Sequence, residues 1–170
     1  RDNGPDLKRR LRWSNMVYAK STRHAKITGD FGEAVVLYYL SSSGFECARV
    51  DHTGIDLIAR STKLSRPFGI SVKARSRSPG TEHTHLNLYN KDFPKLEAAC
   101  DAFGCIPYVG LVFDSSDYLR VYVLSLAHLR ELVPGGAKVT AWPMSAARIA
   151  AYAKDPAIMS IEWQRIASRW

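Results

Sequence analysis

Along the chain the apolar positions change their period several times, and each change marks an element. Residues 34–40 form an almost continuous apolar run, with Asp30 and Glu33 ahead of it and Gly44 behind. The pattern predicts a helix over residues 30–43, apolar on most faces and therefore buried. Asp30 stands as its N-cap, Glu33 closes a capping box, and Gly44 is the stop. Residues 45–50 and 54–59 then read as two strands about a polar turn, and residues 68–75 as a third after the breaker-rich stretch 61–67. Turns this short predict antiparallel neighbours. Residues 76–84, with Arg77, Pro79, Gly80 and His83, read as a basic loop. Residues 90–103 read as a second helix, with Asn90 or Asp92 near its cap, Pro94 in its first turn and Gly104 at its stop. Two more strands, 106–113 and 118–124, flank the turn 114–117, and Ser125 caps a short helix to Leu132. After Pro134-Gly135-Gly136, an Ala-rich helix is expected over 145–154. The order of elements predicts an α/β sandwich, a mixed central sheet with helices on both faces.

The start of the chain differs from this. Residues 1–28 interleave Arg9, Arg10, Arg12, Lys20, Arg23 and Lys26 with Leu7, Leu11, Trp13, Val17 and Tyr18. Leu7, Leu11, Ser14, Val17 and Tyr18 recur near helical spacing, so a basic amphipathic helix is expected, either a solvated helix packed by one edge or an arm that contacts nucleic acid. The division that follows is a basic arm over 1–27, a core over 28–132, and a C-terminal helical extension over 133–170. The first residue is Arg1 and not Met, so a piece of a longer chain is one expectation.

Composition narrows the function. With 170 residues, 46% hydrophobic and 24% charged, the chain has the make-up of a globular domain, which excludes disordered, collagenous and coiled-coil classes. No apolar run reaches 18 residues, so no membrane partner is expected. Lys plus Arg number 24 against 16 Asp plus Glu, a net charge of +8, and an excess of that size points to an anionic partner. Cys47, Cys100 and Cys105 form no CxxC pair and leave one over, which argues against a disulfide framework or a zinc ribbon and for the reducing cytoplasm.

Candidate chemistry begins at Asp56, a carboxylate between apolar neighbours in Gly54-Ile55-Asp56-Leu57-Ile58. Such a site is unfavourable unless a metal ion or a cation neutralises it. Fifteen residues on, Ser71 and Lys73 share a face of the next strand because side chains alternate with period two. If the two strands are adjacent, Asp56 and Lys73 converge, and Glu33 on the preceding helix points into the same core. Two carboxylates and a lysine suit phosphodiester hydrolysis with a divalent metal: hard oxygens hold Mg²⁺, and the ammonium orients water and stabilises developing charge. Each residue also has a plainer use. Glu33 can simply complete the cap, and Asp56 with Lys73 can be a structural ion pair. His83 and His85 would share a strand face but lack a third zinc ligand at recognised spacing. Arg75, Arg77 and His83 read as phosphate contacts or as a solvated loop. Trp142, Trp163 and Trp170 can stack bases or pack a core, and Cys100 and Cys105 read as core residues.

Taken together, Gly29-Asp30-Phe31-Gly32-Glu33 opening a helix, Gly54-Ile55-Asp56-Leu57-Ile58, Val72-Lys73 on a strand, and then a helix and a further strand resemble the PD-(D/E)xK nuclease superfamily. The resemblance covers about residues 28–124 and is nearest to the Holliday-junction-resolvase-like and Mrr-like branches. It implies a restriction-endonuclease-like three-layer sandwich and a metal-dependent DNA nuclease using Mg²⁺ or Mn²⁺, with structure-specific cleavage as one form. The implied catalytic residues are Glu33, Asp56, Ser71 and Lys73. Asp56, Glu33 and the carbonyl of Val72 would be metal ligands, and Arg75, Arg77, His83, Lys26 and Arg23 would contact nucleic acid. DNA is the implied partner, with a homodimer as an option. The sequence departs from the family at Gly54-Ile55, where a proline is usual, and at Ser71, where the family has an acidic residue or Gln. A hydroxyl is a weaker Mg²⁺ ligand than a carboxylate, so either a water or a migrated carboxylate such as Glu82 completes the site, or the chain is a non-catalytic nucleic-acid-binding or protein-interaction module on a degraded nuclease fold.

Overall fold

The computed structural model describes residues 20–78 and 80–164. Its elements are α1 (His24–Ser42), β1 (Glu46–His52), β2 (Ile55–Arg60), β3 (Phe68–Ser76), β4 (Leu86–Tyr89), α2 (Phe93–Ala102), β5 (Ile106–Asp114), β6 (Tyr118–Ser125), α3 (Leu126–Leu132), β7 (Val139–Trp142), α4 (Ala146–Tyr152) and β8 (Met159–Gln164), with a 3₁₀ turn at Asn90–Asp92 leading into α2. The expected basic amphipathic helix, Pro79 and Trp170 lie outside the described residues.

The short turns after β1, β2 and β5 return the chain on itself, giving antiparallel pairs β1–β2, β2–β3 and β5–β6. Between β3 and β5 the chain crosses over through α2, so these two strands run parallel, paired from Phe68↔Ile106 to Ser76↔Asp114. The result is a six-stranded mixed sheet in the order β1-β2-β3-β5-β6-β8. Alternation along the strands sorts the core onto two faces. Val36 and Leu40 of α1 pack with Leu57, Ile70, Val72, Val112 and Val121 on one face. On the other, Leu96 and Cys100 of α2 join Val109, Leu111, Leu124, Leu129 and Tyr152. This is the three-layer α/β sandwich that the element order predicts. Among the described residues no helix is long and apolar enough to cross a membrane.

Three local expectations change. α1 starts at His24 with Arg23 at its N-cap and no side-chain cap, so the capping box of Asp30 and Glu33 does not form. Asp30 lies a turn and a half inside the helix, where its carboxylate bonds Lys26 Nζ at 3.1 Å. Further along, Gly32 packs directly on β3: a Cβ there would stand 2.5 Å from Ala74 Cβ. Residues 133–164 are not simply a helical extension. β8 adds an edge strand beside β6, and β7 pairs with β4 in a separate two-stranded ribbon. Trp142, at the end of β7, is fully buried and stacks on Tyr152 with ring centroids 4.2 Å apart, so it cannot stack a base. Elsewhere the reading holds closely. Ser125 and Ser145 accept from the backbone N–H of His128 and Arg148 and so cap α3 and α4.

Candidate active site

Gly54 sets the entry to β2. Its φ of +105° lies in the left-handed region, and a Cβ there would collide with the carbonyl oxygen of Lys95 on α2. Only glycine satisfies both demands, and Asp56 follows two residues later. The β2–β3 ladder runs from Ala59↔Phe68 to Leu57↔Ile70 and stops there. At the next position Asp56 faces Ser71. The Asp56 carboxylate takes over the ladder's unfinished bonding: Oδ2 accepts the Val72 N–H at 2.6 Å and, more weakly, the Ser71 hydroxyl at 3.4 Å. Lys73 Nζ donates to Ser71 Oγ at 3.2 Å. Asp56 and Lys73 are therefore on adjacent strands and one sheet face, joined through Ser71 and not by a direct ion pair.

Glu33 arrives from the other layer. It belongs to α1, which covers the opposite face from Ser71 and Lys73, and it approaches Asp56 where β2 and β3 part. Burial raises the Glu33 pKa, and the negative charge of Asp56 raises it further, while Arg49 pulls it down. Two half-buried carboxylates thus repel each other across the end of the β2–β3 pair. Arg49, whose guanidinium donates to the carbonyl of Asp30 at 3.4 Å, offsets part of that repulsion.

The residues present can be weighed against the needs of a hard divalent cation. Among the described residues no group of three or more His, Cys, Asp or Glu is placed to hold a metal. What is present is Asp56 Oδ1, the Glu33 carboxylate and one backbone carbonyl. The N–H and C=O of a strand residue project to the same side, so Val72, whose N–H meets Asp56, turns its carbonyl toward the same gap. Two carboxylates and a carbonyl are the kind of donors Mg²⁺ takes, since it keeps several waters and uses only one or two carboxylates from the protein. A cation would also relieve the repulsion felt by Glu33.

The remaining candidates divide. Lys20 Nζ bonds Ser76 at 3.2 and 3.1 Å, which brings the first turn of α1, with Arg23 and Lys26 exposed, beside the end of β3. Arg75 is exposed there too, with a bond to its neighbour's carbonyl. Arg77 turns inward: it donates to the carbonyls of Thr84 and His85 at 3.0 Å and lies over the Phe113 ring, so it holds the loop together. His83 Nδ1 meets the carbonyl of Met144 at 3.1 Å, which ties the loop to the segment after β7. Glu82 accepts the Gly80 N–H within its own loop. Cys100 and Cys105 are buried free thiols, and burial pushes the Cys100 pKa up to about 11, as expected of a core residue.

One wall of the site is absent from the sequence-based expectations. Ser71 and Lys73 line a narrow cleft with Tyr89 and Asp92, floored by apolar side chains including Phe93 and Leu96, and enclosing about 20 Å³, room for a single water-sized group. Asp92 stands at the head of α2 without capping it, and its carboxylate pairs at the surface with Lys95 at 3.4 Å. The alternation Leu86-Asn87-Leu88-Tyr89 spans only four residues, too few to signal this wall in the sequence.

No family model matches the chain, and no curated protein matches it. Among solved structures it is similar to that of Archaeoglobus fulgidus Hjc, a Holliday junction resolvase from an archaeal hyperthermophile, with 19% identity, a TM-score of 0.49, and coverage of 68% of this chain and 91% of that one.

Proposed function

We propose that the chain is a metal-dependent DNA nuclease of the PD-(D/E)xK kind, acting in the cytoplasm through Glu33, Asp56, Ser71 and Lys73. The observation that carries this reading is the run of contacts from Lys73 to Ser71 to Asp56, closed by the Val72 N–H, with Glu33 repelled by Asp56 from the other side. A bound Mg²⁺ or Mn²⁺ would neutralise the two carboxylates and supply Lewis acidity at the scissile phosphate. Asp56, Glu33 and the Val72 carbonyl would hold it. Lys73 would orient the attacking water within the cleft and offset the charge that develops on phosphorus-bound oxygens. Arg23, Lys26 and Arg75 would meet flanking phosphates, which position a strand without reading its sequence.

One observation favours the alternative of a non-catalytic module. The Ser71 hydroxyl is already engaged by both Lys73 and Asp56, so the trio is neutralised without a metal. Incubation with labelled junction, duplex and single-stranded DNA, with Mg²⁺ and with EDTA, separates the two. Cleavage that needs metal and is lost in Asp56→Ala supports the nuclease. DNA binding without cleavage under every condition replaces it with the binding module. Light scattering of the same sample reads whether a homodimer forms.

A further inference from the structure

Six large apolar or aromatic side chains are markedly exposed among the described residues: Ile27, Phe31, Tyr38, Leu64, Tyr89 and Phe103. Only Tyr89 of these lines the cleft that holds Ser71 and Lys73. The ribbon explains why it faces outward. Leu86 and Leu88 are buried at 2% and 3% exposure while Tyr89 is 52% exposed, because alternation along β4 sends every second side chain away from the core. Alternation requires an outward residue there but not an aromatic one; Asn87 occupies the equivalent outward position two residues earlier. The Lys91 ammonium lies over the Tyr89 ring, 5.7 Å from its centroid, and Lys95 follows on the next turn of chain.

An exposed ring with an ammonium over one face, on the rim of a cleft too small to admit a base, suits one kind of ligand. A nucleobase stacks on an aromatic face whatever its identity, and the phosphate beside it meets an ammonium. A base locked in a continuous duplex has its faces covered by its neighbours and cannot offer one to a side chain. We infer that Tyr89 is a stacking platform for an unpaired nucleotide next to the cleaved position, with Lys91 as its phosphate contact. This deepens the nuclease reading and rests on it: the preferred substrate is a strand with an unpaired base at the site, as in single-stranded, flapped or branched DNA.

The test uses the full chain and a single-stranded oligonucleotide carrying 2-aminopurine, whose fluorescence falls on stacking, together with a duplex of the same sequence. Binding of the single strand by the wild type should quench the probe. Tyr89→Phe and Tyr89→Trp should preserve the quench. Tyr89→Leu, which keeps bulk on the ribbon, should abolish it and weaken single-strand binding about tenfold, while duplex binding changes less than about twofold. Lys91→Ala should reduce the slope of log affinity against log salt by about 0.7 for the single strand. The inference is overturned if Tyr89→Leu quenches as the wild type does, or if it weakens single strand and duplex equally. In those cases a wild type that still cleaves leaves the nuclease reading standing. A wild type that binds neither DNA overturns both.

Discussion

The contact of Gly32 with Ala74 offers a way to move Glu33 without altering any charged group. In Gly32→Ala the new Cβ would lie 2.5 Å from Ala74 Cβ, against about 3.5–4.0 Å for an ordinary carbon contact. α1 must retreat from β3 by about 1 Å, and Glu33, the next residue, moves with it. Stability is a poor reporter of this shift. Overpacking costs about 1–3 kcal/mol, but alanine gains about 1 kcal/mol over glycine inside a helix. The net loss is then about 0–2 kcal/mol, a few degrees in melting temperature. Activity should respond far more, since a displacement of about 1 Å in a positioned group can cost about 100-fold in rate. The decisive variant is the pair Gly32→Ala/Ala74→Gly, which removes the facing methyl group. It should recover most of the single-turnover cleavage rate and of the Mg²⁺ affinity read by calorimetry. Its melting temperature should return close to that of the wild type, because the roughly 0.5–1 kcal/mol that glycine costs in a strand is offset by the roughly 1 kcal/mol that alanine gains in the helix. If the single variant cleaves and binds metal like the wild type, or if the pair is no better than the single, Glu33 is not set by this packing and its place in the site is refuted.

Three further outcomes are expected. Gly54→Ala should destabilise by at least about 2 kcal/mol in denaturant unfolding, since the left-handed φ alone costs about 1–2 kcal/mol and the Lys95 backbone blocks the methyl group; an unchanged midpoint would contradict the turn described. Ser71→Glu should tighten Mg²⁺ binding about tenfold and raise cleavage, with the gain lost in the Ser71→Glu/Asp56→Ala pair, whereas weaker metal binding would mean a site adapted to the hydroxyl. His128 bonds Asp155 at 2.8 Å and ties α3 to the chain before β8; this bond raises the His128 pKa above 6.5 and lowers that of Asp155 below 3.8. The His128 contribution is full below its unfolded pKa and fades as pH rises through the raised folded value, and the Asp155 contribution is full above its unfolded pKa and fades as pH falls through the depressed one. The melting-temperature gap between wild type and Asp155→Asn should therefore be widest at roughly pH 4–6 and shrink on either side, and a gap independent of pH would show that the contact carries no charge.

Much of the sheet is legible in the sequence because its determinants are local. Turns of a few residues fix the antiparallel neighbours, and period-two alternation by itself puts Ser71 and Lys73 on one face. The start of α1 is misread for the opposite reason. Asp30 and Glu33 form a good capping signature, but the helix continues upstream to His24, and α1 is seated on the sheet through Gly32 against Ala74, a contact between residues far apart in sequence. Tertiary packing overrides a local signal, as it commonly does with short-range preferences.

The ribbon of β4 and β7 is illegible in the sequence for a related reason with a larger functional consequence. Each strand is four residues long, too short for alternation to stand out, and the partners Leu86 and Trp142 are separated in the chain by α2, β5, β6 and α3. Yet this ribbon sets Tyr89 at the cleft, while the motif residues come from α1, β2 and β3. The parts of the site expected to hold a metal and a water thus lie in α1, β2 and β3, which follow one another along the chain, where spacing can reveal them. The part expected to select the form of the nucleic acid lies in a non-local pairing, where spacing cannot. Two chains sharing Glu33, Asp56 and Lys73 in this order could then differ in substrate through a ribbon that motif comparison does not see, so Tyr89→Leu is expected to discriminate substrate form and Asp56→Ala is not.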